Sequence, residues 1–164
     1  MPRRTALIVA VPEAEEAVGA LRLEHDWSAS VGVPAHVTIL FPFLPPERID
    51  EDALRALFAS QPAFDFTLDR IERFDNGLVW LHPEPSEPFG ELTAVVTGAW
   101  PDYPPYEGTI DVVIPHLTVS EDPLDDLDVE LPIASRASHV TLIEEEEPGG
   151  RWTTRLLLPL ATAG

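Results

Sequence analysis

Pro34-Ala35-His36-Val37-Thr38-Ile39 and Ile114-Pro115-His116-Leu117-Thr118-Val119 repeat one pattern, His-x-Thr followed by an apolar residue, each on an apolar run just after a proline. Successive side chains of a strand point to opposite faces, so the histidine and threonine of each stretch share one face and the apolar residues share the other. Each stretch can therefore bury its apolar pair while it presents an imidazole beside a hydroxyl. We take the two stretches as strands and as the clue to function.

Two pairs of histidine and threonine side chains arranged in this way suit phosphodiester transfer without a metal. One imidazole of the pair His36 and His116 would take a proton from the attacking hydroxyl or water, and the other would give one to the leaving oxygen. The hydroxyls of Thr38 and Thr118 would donate hydrogen bonds to the non-bridging phosphate oxygens. The sequence alone does not assign which histidine is the acid and which the base.

The charge of the chain limits its partners. Its 164 residues are about the size of one domain, or of two small lobes sharing a core, and 45% of them are apolar. The net charge of -19 argues against an extended nucleic-acid surface and favours a small phosphorylated or nucleotide substrate, with an RNA terminus as a variant of that class. The acidity is equally compatible with an adaptation to salt or solubility.

The chain has no cysteine, which excludes disulfides and thiolate chemistry. Residues 5–11 follow a basic start, but the run is closed by Pro12 and leads into acidic residues, so we interpret it as a buried strand and not as a signal sequence. No later stretch has the roughly 20 apolar residues of a membrane span. We expect a soluble, cytoplasmic protein with no membrane partner; a monomer is assumed.

Apolar periodicity predicts an α+β protein in which strands outnumber helices. The predicted strands cover residues 5–11, 36–41, 64–69, 78–81, 116–120, 138–143 and 152–158, and the predicted helices cover residues 12–24, 53–59 and 89–100. The two motif histidines are 80 positions apart, close to half of the chain. This spacing indicates a weak internal duplication within a single domain over 1–164, with the motif strands facing one cleft.

A third match to the pattern, at His139 and Thr141, is assigned to structure. It falls in the closing pair of strands and leads into four glutamates at 144–147, which would repel a phosphate. His25 and His82 have no partner pattern and are interpreted as loop or surface residues. No ligand spacing typical of a metal site appears, so we predict neither a metal nor a cofactor.

Aromatic side chains are candidates for stacking on a nucleobase. Tyr103 and Tyr106, in the proline-rich segment before the second motif, are the predicted substrate-binding pair, with simple anchoring of the loop as the alternative. Phe43, Trp80 and Trp152 are expected in the core or at its edge.

In these residues the chain resembles the 2H phosphoesterase superfamily, and more closely its 2'-5' RNA ligase-like branch. The resemblance rests on the two motifs and their spacing, the first strand with its acidic helix, the strand with Trp80, and the final segment with Gly150 and Trp152. It implies a bilobal α+β fold with a pseudo-twofold axis, in which two antiparallel-rich sheets with flanking helices surround a central cleft.

The resemblance also implies an activity. Such proteins hydrolyse or transfer 2',3'-cyclic phosphates and 2'-5' linkages on nucleotides or RNA ends without a metal, with His36 and His116 as acid and base and Thr38 and Thr118 on the phosphate. Some relatives have an arginine soon after the second motif, where this chain has Glu121 and Asp122. Two alternatives stay open: a non-catalytic binder of a phosphorylated metabolite or nucleotide, and a 2'-5' RNA ligase.

Overall fold

The computed structural model describes residues 2–109 and 113–162, and these residues form eight strands and four α-helices. The strands are β1 (Thr5–Ala10), β2 (His36–Leu40), β3 (Phe64–Arg73), β4 (Val79–Glu84), β5 (Leu117–Ser120), β6 (Ile133–Ala137), β7 (His139–Glu145) and β8 (Trp152–Pro159). The helices are α1 (Glu15–His25), α2 (Trp27–Ser30), α3 (Glu51–Ala59) and α4 (Glu87–Ala99). The α+β class predicted from the sequence is confirmed.

The two motif strands lie side by side in the middle of the sheet. The strand order is β6-β3-β4-β5-β2-β1-β7-β8. The first half of the sheet consists of β2, β1, β7 and β8, and the second half consists of β5, β4, β3 and β6. Each half has a motif strand at its inner edge, in agreement with the predicted pseudo-twofold arrangement. The prediction of two sheets needs correction, because β2 and β5 pair antiparallel and join the halves into one sheet. Within the described residues that junction is a single registered pair, Val37 with Leu117. A link this short is not readable from sequence.

Helices α1, α3 and α4 cover one face of the sheet. Val37 and Leu117 are fully buried on that face, in a core shared with Val18 of α1, Phe58 of α3 and Phe89 of α4. Because side chains alternate along a strand, the opposite face carries the histidines and threonines of the two motifs. The helix packing therefore leaves the motif face free to form a cleft.

Local signals explain where helices begin. The side chain of Asp50 accepts a hydrogen bond from the backbone N–H of Ala53 and caps α3. Asp26 caps the short helix α2 in the same way, through the N–H of Ser28. Helix α2 was not predicted, since Trp27–Ser30 falls in none of the predicted helices.

Strand β6 was also not predicted. It is an edge strand that pairs only with β3, and its sequence Ile-Ala-Ser-Arg-Ala carries one strong strand former. Strand β3 runs four residues beyond its prediction, to Arg73, with a shift in its register to β4 between Leu68 and Arg70.

A second, smaller apolar cluster lies on the first half of the sheet, on the face that carries the motif histidines and threonines. It comprises Ala6, Ile8, Val33, Ile143 and Trp152, with Val31 and Phe41 packed against it. Ile8 pairs with Thr38 across β1 and β2, which places this cluster next to the first motif. Among the described residues, no helix is long and apolar enough to cross a membrane.

Candidate functional site

The register of the motif strands brings the four motif side chains together. In an antiparallel pair built on Val37 and Leu117, His36 lies beside Thr118 and Thr38 lies beside His116. All four side chains are half-buried, whereas Val37 and Leu117 are fully buried on the other face. Diagonal neighbours across such a pair lie about 7–8 Å apart, within reach of long side chains. The charge of His116 also acts on His36, so the two imidazoles border one gap with a hydroxyl beside each.

Both imidazoles are oriented by the same hydrogen bond. The Nδ1 of His36 lies 2.7 Å from the carbonyl oxygen of Pro34, and the Nδ1 of His116 lies 2.7 Å from the carbonyl oxygen of Ile114. A carbonyl only accepts, so each Nδ1 carries the proton, and in the neutral ring Nε2 keeps its lone pair. The repeated motif thus builds two rings in one tautomer, and no described residue forms a hydrogen bond with Nε2 of either ring.

Aromatic side chains hold the ring of His116 from the second half of the sheet. Its centroid lies 5.1 Å from that of Phe74 and 5.9 Å from that of Trp80, with interplanar angles of 83° and 71°. Phe74 and Trp80 stack on each other at 4.8 Å. Trp80 pairs with Thr118 in the sheet and therefore shares the motif face. These edge-to-face contacts fix the plane of the His116 ring.

The environment of His36 favours its neutral form. Burial lowers the pKa of His36 to about 4, with the hydrogen bond to Pro34 acting in the opposite direction. The positive charges of Arg22 and of protonated His116 lower this pKa further, whereas Asp26 raises it. The ring is enclosed by protein on most sides and keeps one side open to the cleft. His36 is consequently uncharged at neutral pH.

His116 has a simpler environment. Burial lowers its pKa below the ordinary 6.5, and the hydrogen bond to the carbonyl of Ile114 raises it. No positive side chain is among the groups that shift it, in contrast to His36. The two rings share a hydrogen-bonding pattern but differ in their electrostatic surroundings.

Among the charged groups that act on His36, Arg22 lies in helix α1 and is only 2% exposed. Its guanidinium donates to the carboxylate of Asp26 at 3.1 Å, to the hydroxyl of Ser28 at 3.1 Å and to the carbonyl of Val33 at 3.2 Å. These bonds tie α1 to the segment that leads into the first motif. The sequence analysis did not single out Arg22, because a helical arginine is ordinarily expected to be solvent-exposed.

Of the two predicted tyrosines, the structure brings one to the motifs. Tyr106 has φ of 51°, a left-handed conformation uncommon for a residue with a side chain, and its N–H donates to the carbonyl of Phe41 at 2.7 Å. Burial raises the pKa of its phenol, whereas the nearby hydroxyl of Thr38 lowers it. Tyr103 lies elsewhere: its hydroxyl accepts a bond from Arg48 at 2.8 Å, and its ring packs on Phe43.

Each motif histidine borders its own pocket. A pocket of about 240 Å³ beside His36 is lined by Thr38, Phe41, Trp152 and the half-exposed Trp27, among others. A second pocket, of about 420 Å³, lies beside His116. Its described lining residues are Phe74, Asn76, Leu78, Tyr106, Val113, Ile114 and His116.

A third pocket, of about 510 Å³, contains His139 and Arg136 but neither motif histidine. Its size does not make it the site, since His139 lacks a second imidazole there. This placement agrees with the assignment of the third His-x-Thr match to structure.

The acidic residues after the second motif contact the first half of the chain. Glu121 accepts a hydrogen bond from the N–H of Trp27 at 2.6 Å, and Asp122 contacts Nδ1 of His25 at 2.8 Å. These carboxylates therefore anchor the turn between α1 and α2, which carries Trp27 into the pocket beside His36. His25 ends α1 and is 24% exposed at its side chain, so of the two predicted settings, loop or surface, it has the surface one.

His82 also differs from its prediction, because it lies within β4 and is 13% exposed at its side chain. Among the described residues, Asp69, His82 and Glu84 bring ligand-type atoms within 4.8 Å of one another. Asp69 already contacts His82 at 2.9 Å and Arg70 at 3.4 Å, and the hydrogen bond from His82 helps to lower the pKa of Asp69. An ion-pair network accounts for this group.

The family model described as the 2'-5' RNA ligase superfamily matches residues 10–149, a span that includes both motifs. The chain belongs to the 2'-5' RNA ligase superfamily. The resemblance to 2H phosphoesterases drawn from the motifs is thereby confirmed, and family membership supports a phosphodiesterase or ligase-like function. None of the curated proteins compared with the chain matched it.

Several solved structures with the same fold align with nearly the whole of this chain. Escherichia coli LigT complexed with 3'-AMP has a TM-score of 0.67 at 21% identity, covering 98% of this chain and 99% of LigT. LigT complexed with NADP+ has a TM-score of 0.66 at 22% identity, covering 98% of each chain. The protein TT0787 of Thermus thermophilus has a TM-score of 0.66 at 21% identity, covering 98% of this chain and 100% of its own. At this identity the likeness establishes the fold.

Proposed function

We propose that this protein is a metal-independent phosphodiesterase that acts on 2',3'-cyclic or 2'-5'-linked nucleotides or RNA ends by two-histidine acid-base catalysis. The observation that carries the proposal is the pair of imidazoles on one face of β2 and β5, each with Nδ1 bound to a carbonyl two residues upstream. Each ring then has Nε2 free for proton transfer, with a threonine hydroxyl beside it.

We assign His36 as the general base in hydrolysis. Its low pKa, with Arg22 nearby, keeps Nε2 unprotonated at neutral pH. His36 would take a proton from water as the water oxygen attacks phosphorus, and the bond from phosphorus to the leaving ribose oxygen would break. His116 would deliver a proton to that oxygen, since no neighbouring cation is among the groups that shift its pKa.

The general acid must carry its proton when substrate is bound. A phosphodiester is an anion, and an anion close to an imidazole favours the protonated ring. Binding of the substrate between the two motifs would therefore raise the pKa of His116 and favour its protonated form, which is the form that acts as the acid. The hydroxyls of Thr38 and Thr118 would then donate to the non-bridging oxygens as their charge builds in the transition state.

The surroundings of the motifs favour a small substrate. The net charge of -19 opposes a long polyanion, whereas Trp27, Phe41 and Trp152 provide aromatic surface beside His36 for a single base. Structures of E. coli LigT, which shares the fold, hold 3'-AMP and NADP+. Small nucleotides, rather than long polynucleotides, are the ligand class that these observations support.

The test is turnover of 2',3'-cyclic nucleotides and 2'-5' dinucleotides in the presence of a chelator. The wild type should be active, and His36→Ala and His116→Ala should each lose about 10²- to 10⁴-fold in kcat. His139→Ala is the matched control, because it removes the histidine of the third His-x-Thr match and should retain activity. An inert wild type that binds nucleotide tightly would support a binder instead, and a damaging His139→Ala would refute the assignment.

A further inference from the structure

The pocket beside His116 is separate from the pocket beside His36. The pocket beside His36 and the pocket beside His116 share no described lining residue. Displacement at phosphorus puts the attacking and leaving oxygens roughly in line on opposite sides. If His36 is the base and His116 the acid, as in the proposed function on which this inference rests, the leaving oxygen and its substituent lie on the His116 side.

The described wall of this pocket is mostly apolar, although the amide of Asn76 also lines it. Phe74 and Leu78 are half-buried in its wall, Ile114 is 45% exposed at its rim, and Tyr106 adds an aromatic ring. Apart from the histidine, none of its described lining residues has an ionisable carboxylate, ammonium or guanidinium group. The pocket beside His36 differs, because Arg4 and Ser28 line it.

A wall of this kind selects by burial of apolar surface and offers nothing to neutralise a second phosphate. Its volume, about 420 Å³, exceeds that of the pocket beside His36, about 240 Å³. A linear diester would fill it with its second alcohol.

We propose that the pocket beside His116, lined by Phe74, Leu78, Tyr106 and Ile114, is a specificity pocket for an uncharged, apolar or aromatic leaving alcohol of a linear phosphodiester. In the reaction, a ribose hydroxyl or water attacks phosphorus and gives its proton to His36. The bond between phosphorus and the second alcohol breaks, and His116 protonates that oxygen. The alcohol leaves neutral, and no further reactant is required.

The test compares two esters of adenosine 3'-phosphate, the ethyl and the 2-phenylethyl ester, each also made as the 2' isomer. Both leaving groups are primary alcohols, so the esters differ mainly in the apolar ring. The wild type should turn over the 2-phenylethyl ester with a kcat/KM on the order of 10- to 100-fold higher, the range that apolar groups give in a fitted pocket. Equal kcat/KM values for the two esters would overturn the inference.

Matched variants locate the preference. Ile114→Asp places a carboxylate at the rim of the pocket and should reduce the ratio of the two kcat/KM values to near one. Leu157→Asp is the control, since Leu157 is similarly exposed, at 52% against 45% for Ile114, and lies on β8. Leu78→Ala provides a second, uncharged change within the pocket and should lower the ratio severalfold.

The outcomes separate this inference from the proposed function. If neither ester nor any 2',3'-cyclic nucleotide is turned over, the proposed function itself fails. If the esters are cleaved equally fast in a reaction that needs His36 and His116, the function stands and the specificity pocket is refuted. If Ile114→Asp keeps the full preference, the preference comes from another surface and the inference is also refuted.

Discussion

The most specific physical prediction concerns the ionisation of His36. Burial and the charge of Arg22 lower its pKa to about 4, against 6.5 for a free histidine. In the folded protein the ring should therefore stay neutral until the pH approaches 4. In the unfolded chain it should take up a proton near pH 6.5.

The sign of the effect on stability follows from this difference. Between pH 6.5 and about 4 the unfolded state binds a proton that the folded state does not, so the free energy of unfolding falls as the pH falls. At about 1.4 kcal/mol per tenfold change in proton affinity, the full difference is about 3 kcal/mol. Water in the cleft screens the half-exposed ring, and the expected loss is about 1–2 kcal/mol.

Two assays measure the pKa of His36 and its effect on the stability of the fold. The ring resonances of His36, followed by NMR between pH 8 and 3.5, should titrate near pH 4. Urea denaturation at pH 7 and pH 4.5 should give a loss of stability in the wild type that is about 1–2 kcal/mol larger than in His36→Gln, which cannot titrate. Comparison with this variant removes the contribution of the carboxylates. A midpoint near 6.5, or equal losses in the two proteins, would refute the reasoning.

Three further outcomes are expected. Thr38→Val and Thr118→Val should each lower kcat by about 10²-fold with little change in stability, measured by steady-state kinetics and thermal unfolding. Arg22→Met should destabilise the fold by about 3–5 kcal/mol, because it leaves the carboxylate of Asp26 buried without its partner; adding Asp26→Asn should restore part of that loss in urea denaturation. Turnover should be unchanged after dialysis against EDTA, and a loss that zinc or magnesium restores would contradict acid-base catalysis without a metal.

Much of the fold could be predicted because local patterns and tertiary structure agree. Apolar runs and alternation located β1 and β2, and the proline and acidic residues after β1 located α1. Strand β6 could not be predicted, since Ile133–Ala137 gains its strand conformation from pairing with β3. The union of the two halves rests on one pair, Val37 with Leu117, and no local pattern encodes it.

The site could be predicted only in part for a similar reason. Identical motifs on two strands indicated that His36 and His116 lie together, and the register of β2 and β5 agrees with that expectation. The groups that tune the rings come from distant segments: Arg22 from α1, and Phe74 from the turn after β3. Spacing within the sequence carries no information about such contacts, because they depend on how distant elements pack together.

The central claim is that His36 and His116 border a single phosphate. Titration of the protein with inorganic phosphate, followed through the ring resonances of all five histidines, tests it most directly. We predict that the resonances of His36 and His116 shift together with one dissociation constant, while those of His139 stay in place. Separate dissociation constants for the two rings, or a shift confined to one of them, would contradict the account.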